Sequence, residues 1–210
     1  MHNPSVPDSH SLALFALAAL ALLLVPGPAV LYVVAQSVDQ GRAAGFVSVA
    51  GLHLGTLVHT AAAAIGLSAL IVSSAVAFSV VKYAGAAYLV YLGVRRFLER
   101  GSPEDVSPRR QPLGRLFWRG TVVNVLNPKT ALFFFAFLPQ FVDPDAAVWS
   151  QVVVFGLVFV ALGLGSDGLY ALTASSLGRW LRRRPSLLRY GSGSVYVGLG
   201  ALTALAKRAK

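Results

Sequence analysis

The chain has 210 residues, of which 56% are hydrophobic and 12% charged, about half the charged share of a soluble domain. The formal net charge of +10 invites a nucleic-acid reading, but the basic residues gather in loops and helix flanks, as on the cytoplasmic face of a membrane protein, so no nucleic-acid partner is implied. The chain contains no cysteine, which excludes disulfide frameworks, thiol redox relays and thiolate metal sites.

Residues 1–10 are polar, contain Pro4 and Pro7, and read as a short flexible tail. Thirty uncharged residues then separate Asp8 from Asp39, longer than the apolar core of a signal peptide. They predict a permanent first span over residues 12–35, interrupted at Pro26-Gly27-Pro28. Asp39, Gly41 and Arg42 form the first turn. Residues 43–94 carry a single charge, Lys82, and their length predicts two spans. The second runs to about Leu67 and the third starts near Ala75. Gly51 and Gly55 are a small-xxx-small pair that admits a close neighbouring helix, either within the chain or in a homodimer.

Residues 95–119 hold seven arginines with several prolines and read as a cytoplasmic loop at the midpoint of the chain. A fourth span covers residues 120–142, in which Lys129 is the only charge, and Asn127-Pro128-Lys129 interrupts it. Pro139 and Asp143-Pro144-Asp145 end it in an acidic turn. The fifth span covers residues 146–174 and carries Asp167. A basic loop with Arg179, Arg182, Arg183 and Arg184 follows, then a sixth span over residues 190–206.

The loops between spans 1 and 2, 3 and 4, and 5 and 6 carry thirteen Lys and Arg residues against three on the other side. The positive-inside rule makes that side cytoplasmic and puts both termini outside.

The two halves resemble each other. Val25-Pro26-Gly27-Pro28-Ala29-Val30-Leu31-Tyr32 aligns with Leu126-Asn127-Pro128-Lys129-Thr130-Ala131-Leu132-Phe133, and Lys82-Tyr83 with Gly85 and Tyr88 aligns with Arg189-Tyr190 with Gly193 and Tyr196. Three spans per half is an odd number, so the halves must be inverted in the bilayer. Transporters built this way hold a midplane site between broken helices and alternate its exposure. The expected fold is therefore all-α, a polytopic membrane protein of six transmembrane helices as two inverted three-helix repeats. It forms a single transmembrane domain over 1–210, with repeat one at about 12–97, a cytoplasmic linker at about 98–115 and repeat two at about 116–206.

A proline mid-span removes a backbone donor and breaks the helix. Such a break survives in a membrane only where protein or a water-filled cavity satisfies the freed groups. Lys129 beside the break is a candidate ligand for a substrate carboxylate, helped by the positive end of the half-helix after Pro128. Its structural alternative is a bond to the freed carbonyls or a pair with Asp167. Asp167 is a candidate holder of the substrate ammonium or of a coupled proton, or else a fixed partner of Lys129 or of a helix-5 contact. Pro26, Gly27, Pro28, Asn127 and Pro128 are expected to shape the cavity, and Asn124 to line it or to cap a freed carbonyl. Lys82 is expected to snorkel. His53 and His59 are six residues apart on one helix, about 120 degrees around it, and cannot share a metal. His59 is a candidate pathway residue, and His53 reads as packed or interfacial. Phe133, Phe134, Phe135 and Phe137 read as lipid-facing and core packing, with a ring gating the cavity as the alternative.

Pro26-Gly27-Pro28, Gly51, Gly55 and His59, Gly85 with Tyr88-Leu89 and Leu92-Gly93, and Asn124 through Asn127-Pro128-Lys129 to Leu138-Pro139-Gln140-Phe141 resemble the lysine-exporter (LysE/RhtB) family of amino-acid efflux proteins. The resemblance covers the chain from about Leu14 to Leu205. It implies a six-helix inner-membrane exporter of an amino acid or a related metabolite, driven by the proton gradient. The alternatives are export of a cation or other small metabolite and, from another class, a membrane enzyme or electron-transfer subunit. No nucleophile with a base at helical spacing, metal quartet or phosphate loop supports an enzyme, and no cofactor is expected.

Overall fold

A computed structural model of the chain describes residues 7–73 and 111–182, together with single helical positions among residues 80–98 and 190–201. All regular structure among the described residues is helical: α1 (Ser9–Leu24), α2 (Pro28–Gln40), α3 (Arg42–Ser73), α4 (Leu113–Val125), α5 (Pro128–Leu132) and α6 (Val148–Arg182). Between α5 and α6 the chain passes through a π turn, Phe133–Phe137, and a 3-10 turn, Leu138–Phe141. Two helices, Arg42–Gly66 and Val148–Ala174, are long and apolar enough to cross a membrane unbroken. Two bent pairs, α1 with α2 at 53° and α4 with the segment after Pro128 at 48°, are together also long and apolar enough to cross. The expected interruptions of the first and fourth spans are therefore present.

Local chemistry explains most boundaries. Asp8 caps α1, its Oδ1 accepting from the backbone N–H groups of His10 and Ser11 at 2.9 and 3.0 Å, so the helix starts before the first apolar residue. Gly41, at φ 89, turns the chain sharply from α2 into α3, a conformation a side chain would strain. Arg115 and Arg119, expected in the loop, lie inside α4, which begins directly after Pro112. Charge marks the edge of the bilayer, and a helix can continue beyond it. Arg179 and Arg182 likewise fall in the helical continuation of α6. The Asp143 turn is tied down by Gln151, whose amide both accepts from the Asp143 N–H and donates to its carbonyl, each at 3.0 Å.

α3 is the central helix and packs on α4, α6 and α2. Its contact with α4 is a backbone approach: a Cβ on Gly51 would fall on the Phe117 carbonyl, and one on Gly55 would meet Asn124 and the Thr121 carbonyl at 2.9 Å. Gly51 and Gly55 thus serve packing within the chain. The Thr121 hydroxyl, 3.0 Å from the Gly51 carbonyl, adds a hydrogen bond across the same seam.

The core has two larger apolar parts and a small third one of Val30, Val34 and Ala174. One of the larger two is aromatic and joins α1, the π and 3-10 turns and α6 through Phe15, Phe133, Phe134, Phe137, Phe155 and Phe159. The phenylalanine run is core packing: Phe133, Phe134 and Phe137 are buried. The other part, around Val33, Val49, Leu52 and Ala171, joins α2, α3 and α6.

Lys82, Gly85, Tyr88, the linker around Glu104, residues 183–185, Arg189, Gly193, Tyr196 and the basic C-terminus lie outside the described residues. Tyr83 and Tyr190, the aligned tyrosines of the third and sixth spans, are both helical.

Candidate functional site

Each helix break is closed by a side chain from the other half of the sequence. Val25, preceding Pro26, is pushed out of the helical region to φ −81, ψ 115, and α1 ends there. Pro28 opens α2 at its first turn but has no N–H to reach the Leu24 carbonyl four residues back. The Tyr170 hydroxyl of α6 donates to that carbonyl at 2.7 Å. In the second break, the Asn127 side chain caps α5 by accepting from the Lys129 N–H at 3.1 Å. Pro128 leaves the Asn124 carbonyl without its α-helical donor. That carbonyl accepts from the Asn127 N–H and from His59 Nε2 of α3, both at 3.0 Å. The His59 proton therefore resides on Nε2.

Lys129 connects the two breaks. Its side chain is buried, and Nζ donates to the Val25 carbonyl at 2.7 Å. An ammonium has three donors, and this bond uses one. The other side of the group faces a cavity of about 30 Å³ between the two larger apolar parts of the core. Thr130 of α5, His53 and Thr56 of α3 and Asp167 of α6 supply its polar lining, and Leu23 and Phe159 supply apolar wall.

Asn124 holds this wall rigid. Its Nδ2 donates to the Leu52 carbonyl at 2.7 Å and to the Thr56 hydroxyl at 2.8 Å, while its Oδ1 accepts from the Thr130 hydroxyl at 2.9 Å. The amide thus welds α3, α4 and α5 together beside the break, and its capacity is filled by these neighbours.

Asp167 is paired with His53, not with Lys129. His53 Nε2 lies 3.1 Å from Asp167 Oδ2, with both side chains buried. Lys129 and Asp167 line the same cavity from different helices without closing an ion pair between them.

The structure brings Asn124, Asn127, Lys129 and Asp167 to one cavity. Pro26, Gly27 and Pro28 set the bend behind it, and the residues that reach the lining from that side are Ala29 and Val30. Pro128 starts α5 beneath Lys129. His59 is not part of the lining; it caps the break and stacks on Phe134, with ring centroids 6.2 Å apart. Among the described residues, no group of three or more His, Cys, Asp or Glu is placed to hold a metal.

Thr56 and Thr130 were not singled out from the sequence, and His53 was read there as packed or interfacial. A signal existed for two of them. His53, Thr56 and Thr60 recur at spacings of three and four, which places all three on one face of an apolar helix, and all three are buried.

Chemically, the arrangement offers a cation on one wall and an anion on another, with a small cavity between them. About 30 Å³ is room for roughly two water molecules, whereas sites for small organic ligands run to about 300 Å³ or more. A ligand of amino-acid size therefore needs the helices around the breaks to move apart.

Comparison with known proteins places this geometry in context. The profile described as "LysE type translocator" matches residues 20–207. An uncharacterized membrane protein of Vibrio cholerae is 31% identical over 204 residues, covering 95% of this chain and 99% of that protein. A homoserine/homoserine lactone efflux protein of Salmonella typhi is 31% identical over 191 residues, covering 90% of this chain and 93% of that protein. An uncharacterized membrane protein of Pseudomonas aeruginosa is 33% identical over 210 residues, covering 91% and 94%. No solved structure matches the chain.

Proposed function

The chain belongs to the LysE type translocator family, a multi-pass membrane protein by its apolar helices, and on that premise we propose that it exports a small amino acid or close derivative by proton exchange. The observation that carries this reading is the burial of the Lys129 ammonium where the two broken helices meet, in a cavity shared with Asp167. An intramembrane charge is costly and belongs on a polar pathway. Here the ammonium binds the substrate carboxylate and Asp167 binds the substrate ammonium. Thr56 and Thr130 offer hydroxyl oxygens to a short polar side chain, which fits homoserine, the compound named for the Salmonella relative. Its lactone keeps the ammonium and presents a carbonyl to Lys129.

Alternating access follows from the inverted-repeat reading. Two features support that reading: the similar bends of 53° and 48°, and the reciprocal capping of the first break by Tyr170 and of the second by His59. We place the protein in the bacterial inner membrane as one transmembrane domain, with loops 1–2, 3–4 and 5–6 cytoplasmic, and repeats at about 12–97 and 116–206 around the linker.

The test is export from cells overexpressing the protein and loaded with a panel of labelled amino acids, with and without a proton uncoupler. Accelerated efflux of homoserine or a similar small amino acid that the uncoupler abolishes is the expected result. Efflux of cations with no amino-acid efflux would overturn the substrate class. Amino-acid efflux indifferent to the uncoupler would remove the proton coupling.

A further inference from the structure

The pair formed by His53 and Asp167 leaves two buried polar atoms without partners, His53 Nδ1 and Asp167 Oδ1. Such orphans are costly in a native fold and call for an explanation. The pair is also deliberately seated. Gly163 lies one turn before Asp167 on α6, and a Cβ there would collide with the His53 ring. The floor of α6 is thereby kept flat for an imidazole, with the carboxylate at its edge.

The hydrogen bond assigns the protons. With Asp167 ionised, His53 Nε2 must be the donor to Oδ2, and in the neutral ring Nδ1 then carries a lone pair. Histidine is also the side chain whose ordinary titration falls between about pH 5 and 8. An unpaired imidazole nitrogen beside the substrate cavity is therefore equipped to take up one proton whenever water reaches it.

We propose that His53 is the proton carrier of the exporter, with Asp167 engaged alternately by the protonated imidazole and by the substrate ammonium. The inference rests on the export reading above and deepens it. With the site open to the cytoplasm, the arriving ammonium displaces the imidazolium from the carboxylate. The Nδ1–H bond then breaks, its electron pair stays on the ring, and the proton leaves to cytoplasmic water. After release outside, Nδ1 takes a proton from external water and the imidazolium returns to Asp167. One proton enters for each amino acid that leaves. Lys129 and Asp167 cancel in charge, so the loaded site is neutral with a zwitterion and the returning site carries one positive charge. Each cycle therefore moves one positive charge inward.

Besides Asp39, Arg42, Arg115 and Arg119, which lie outside the cavity lining, the other titratable groups on the packed elements are few among the described residues. Lys129 of α5 lines the same cavity. Tyr170 of α6 and Tyr32 of α2 donate their hydroxyls to the carbonyls of Leu24 and Leu116, at 2.7 and 2.9 Å. His59 is held by the Asn124 carbonyl. None of these leaves an unpaired imidazole nitrogen against the carboxylate.

The test uses purified full-length protein in proteoliposomes, wild type against His53→Gln. Exchange of labelled homoserine for unlabelled is measured at several pH values, alongside uptake driven by an acid interior. The expected result is that the wild type, with the membrane potential clamped at zero, accumulates substrate up to about tenfold per unit of pH gradient, the limit that one proton per substrate sets. His53→Gln accumulates none relative to whatever exchange it retains, and that exchange no longer varies between pH 5.5 and 8. If His53→Gln accumulates with the wild-type ratio to its exchange, the proton resides elsewhere and the inference fails while the export reading stands. If the wild type exchanges no amino acid, both fall. Should the variant lose exchange altogether, ¹⁵N-histidine NMR of the wild type decides: one of the four histidines passes from doubly to singly protonated when substrate is added near pH 6. A spectrum in which no histidine changes overturns the proposal.

Discussion

The Lys129 ammonium and the Val25 carbonyl, 104 residues apart in the chain, are joined by a 2.7 Å hydrogen bond. The bond links the proline break of the first crossing to that of the fourth. Anything that draws Lys129 away also frees the end of α1, so a substrate carboxylate arriving at the ammonium acts on both broken helices at once.

The ligand pattern follows from that geometry. A charge-assisted hydrogen bond contributes about 1.5–3 kcal/mol, so an analogue lacking either charged end should bind roughly 10- to 100-fold more weakly. Competition by homoserine, its decarboxylated analogue and its N-acetyl derivative against labelled homoserine exchange measures this. Equal competition by all three would show that neither Lys129 nor Asp167 holds the substrate.

His59 separates a structural role from a binding one. His59→Phe removes a donor to the Asn124 carbonyl, which keeps the Asn127 N–H. A loss of about 1 kcal/mol in stability is expected, with substrate affinity changed less than about threefold. Detergent unfolding and exchange kinetics read the two effects. A large loss of affinity at unchanged stability would put His59 in the binding site.

The α3–α4 seam predicts a contrast between two glycines. Gly51→Ala drives a methyl group onto the Phe117 carbonyl, whereas nothing lies within 4 Å of a Cβ on Gly114. The first should cost about 1–3 kcal/mol, and the second should gain up to about 1 kcal/mol by helix propensity. Unfolding of the two variants in the same detergent compares them.

Opening of the cavity can be followed chemically because the chain has no cysteine of its own. Thr56 lines the cavity and is 1% exposed, while Leu57, its neighbour on another face, is 41% exposed. Thr56→Cys should react slowly with a small water-soluble thiol reagent, at a rate that saturating substrate reduces several-fold. Leu57→Cys should be indifferent to substrate. Equal responses at both positions would separate substrate binding from this cavity.

The breaks were legible in the sequence because a proline cannot serve mid-helix, and Lys129 was legible because no other charge shares its 23 apolar residues. The angle between His53 and His59 was legible too: one faces Asp167 on α6 and the other Asn124 on α4. Their partners were not, since spacing along one helix fixes directions and says nothing of which helix stands opposite. The same limit hid the pairing of Asp167 with His53, residues 114 positions apart. It also left open whether Gly51 and Gly55 face α4 or a second copy of the chain. The start of α4 was misplaced because Arg115 and Arg119 were read as loop, when a helix can carry arginines past the membrane edge on its polar turns.

The most direct measurement compares Lys129→Met with Lys82→Met, the two lysines expected within spans, in proteoliposomes reconstituted at equal density. Homoserine exchange should vanish in Lys129→Met and persist in Lys82→Met. Exchange at the wild-type rate and affinity in Lys129→Met would contradict a substrate site at the junction of the two broken helices.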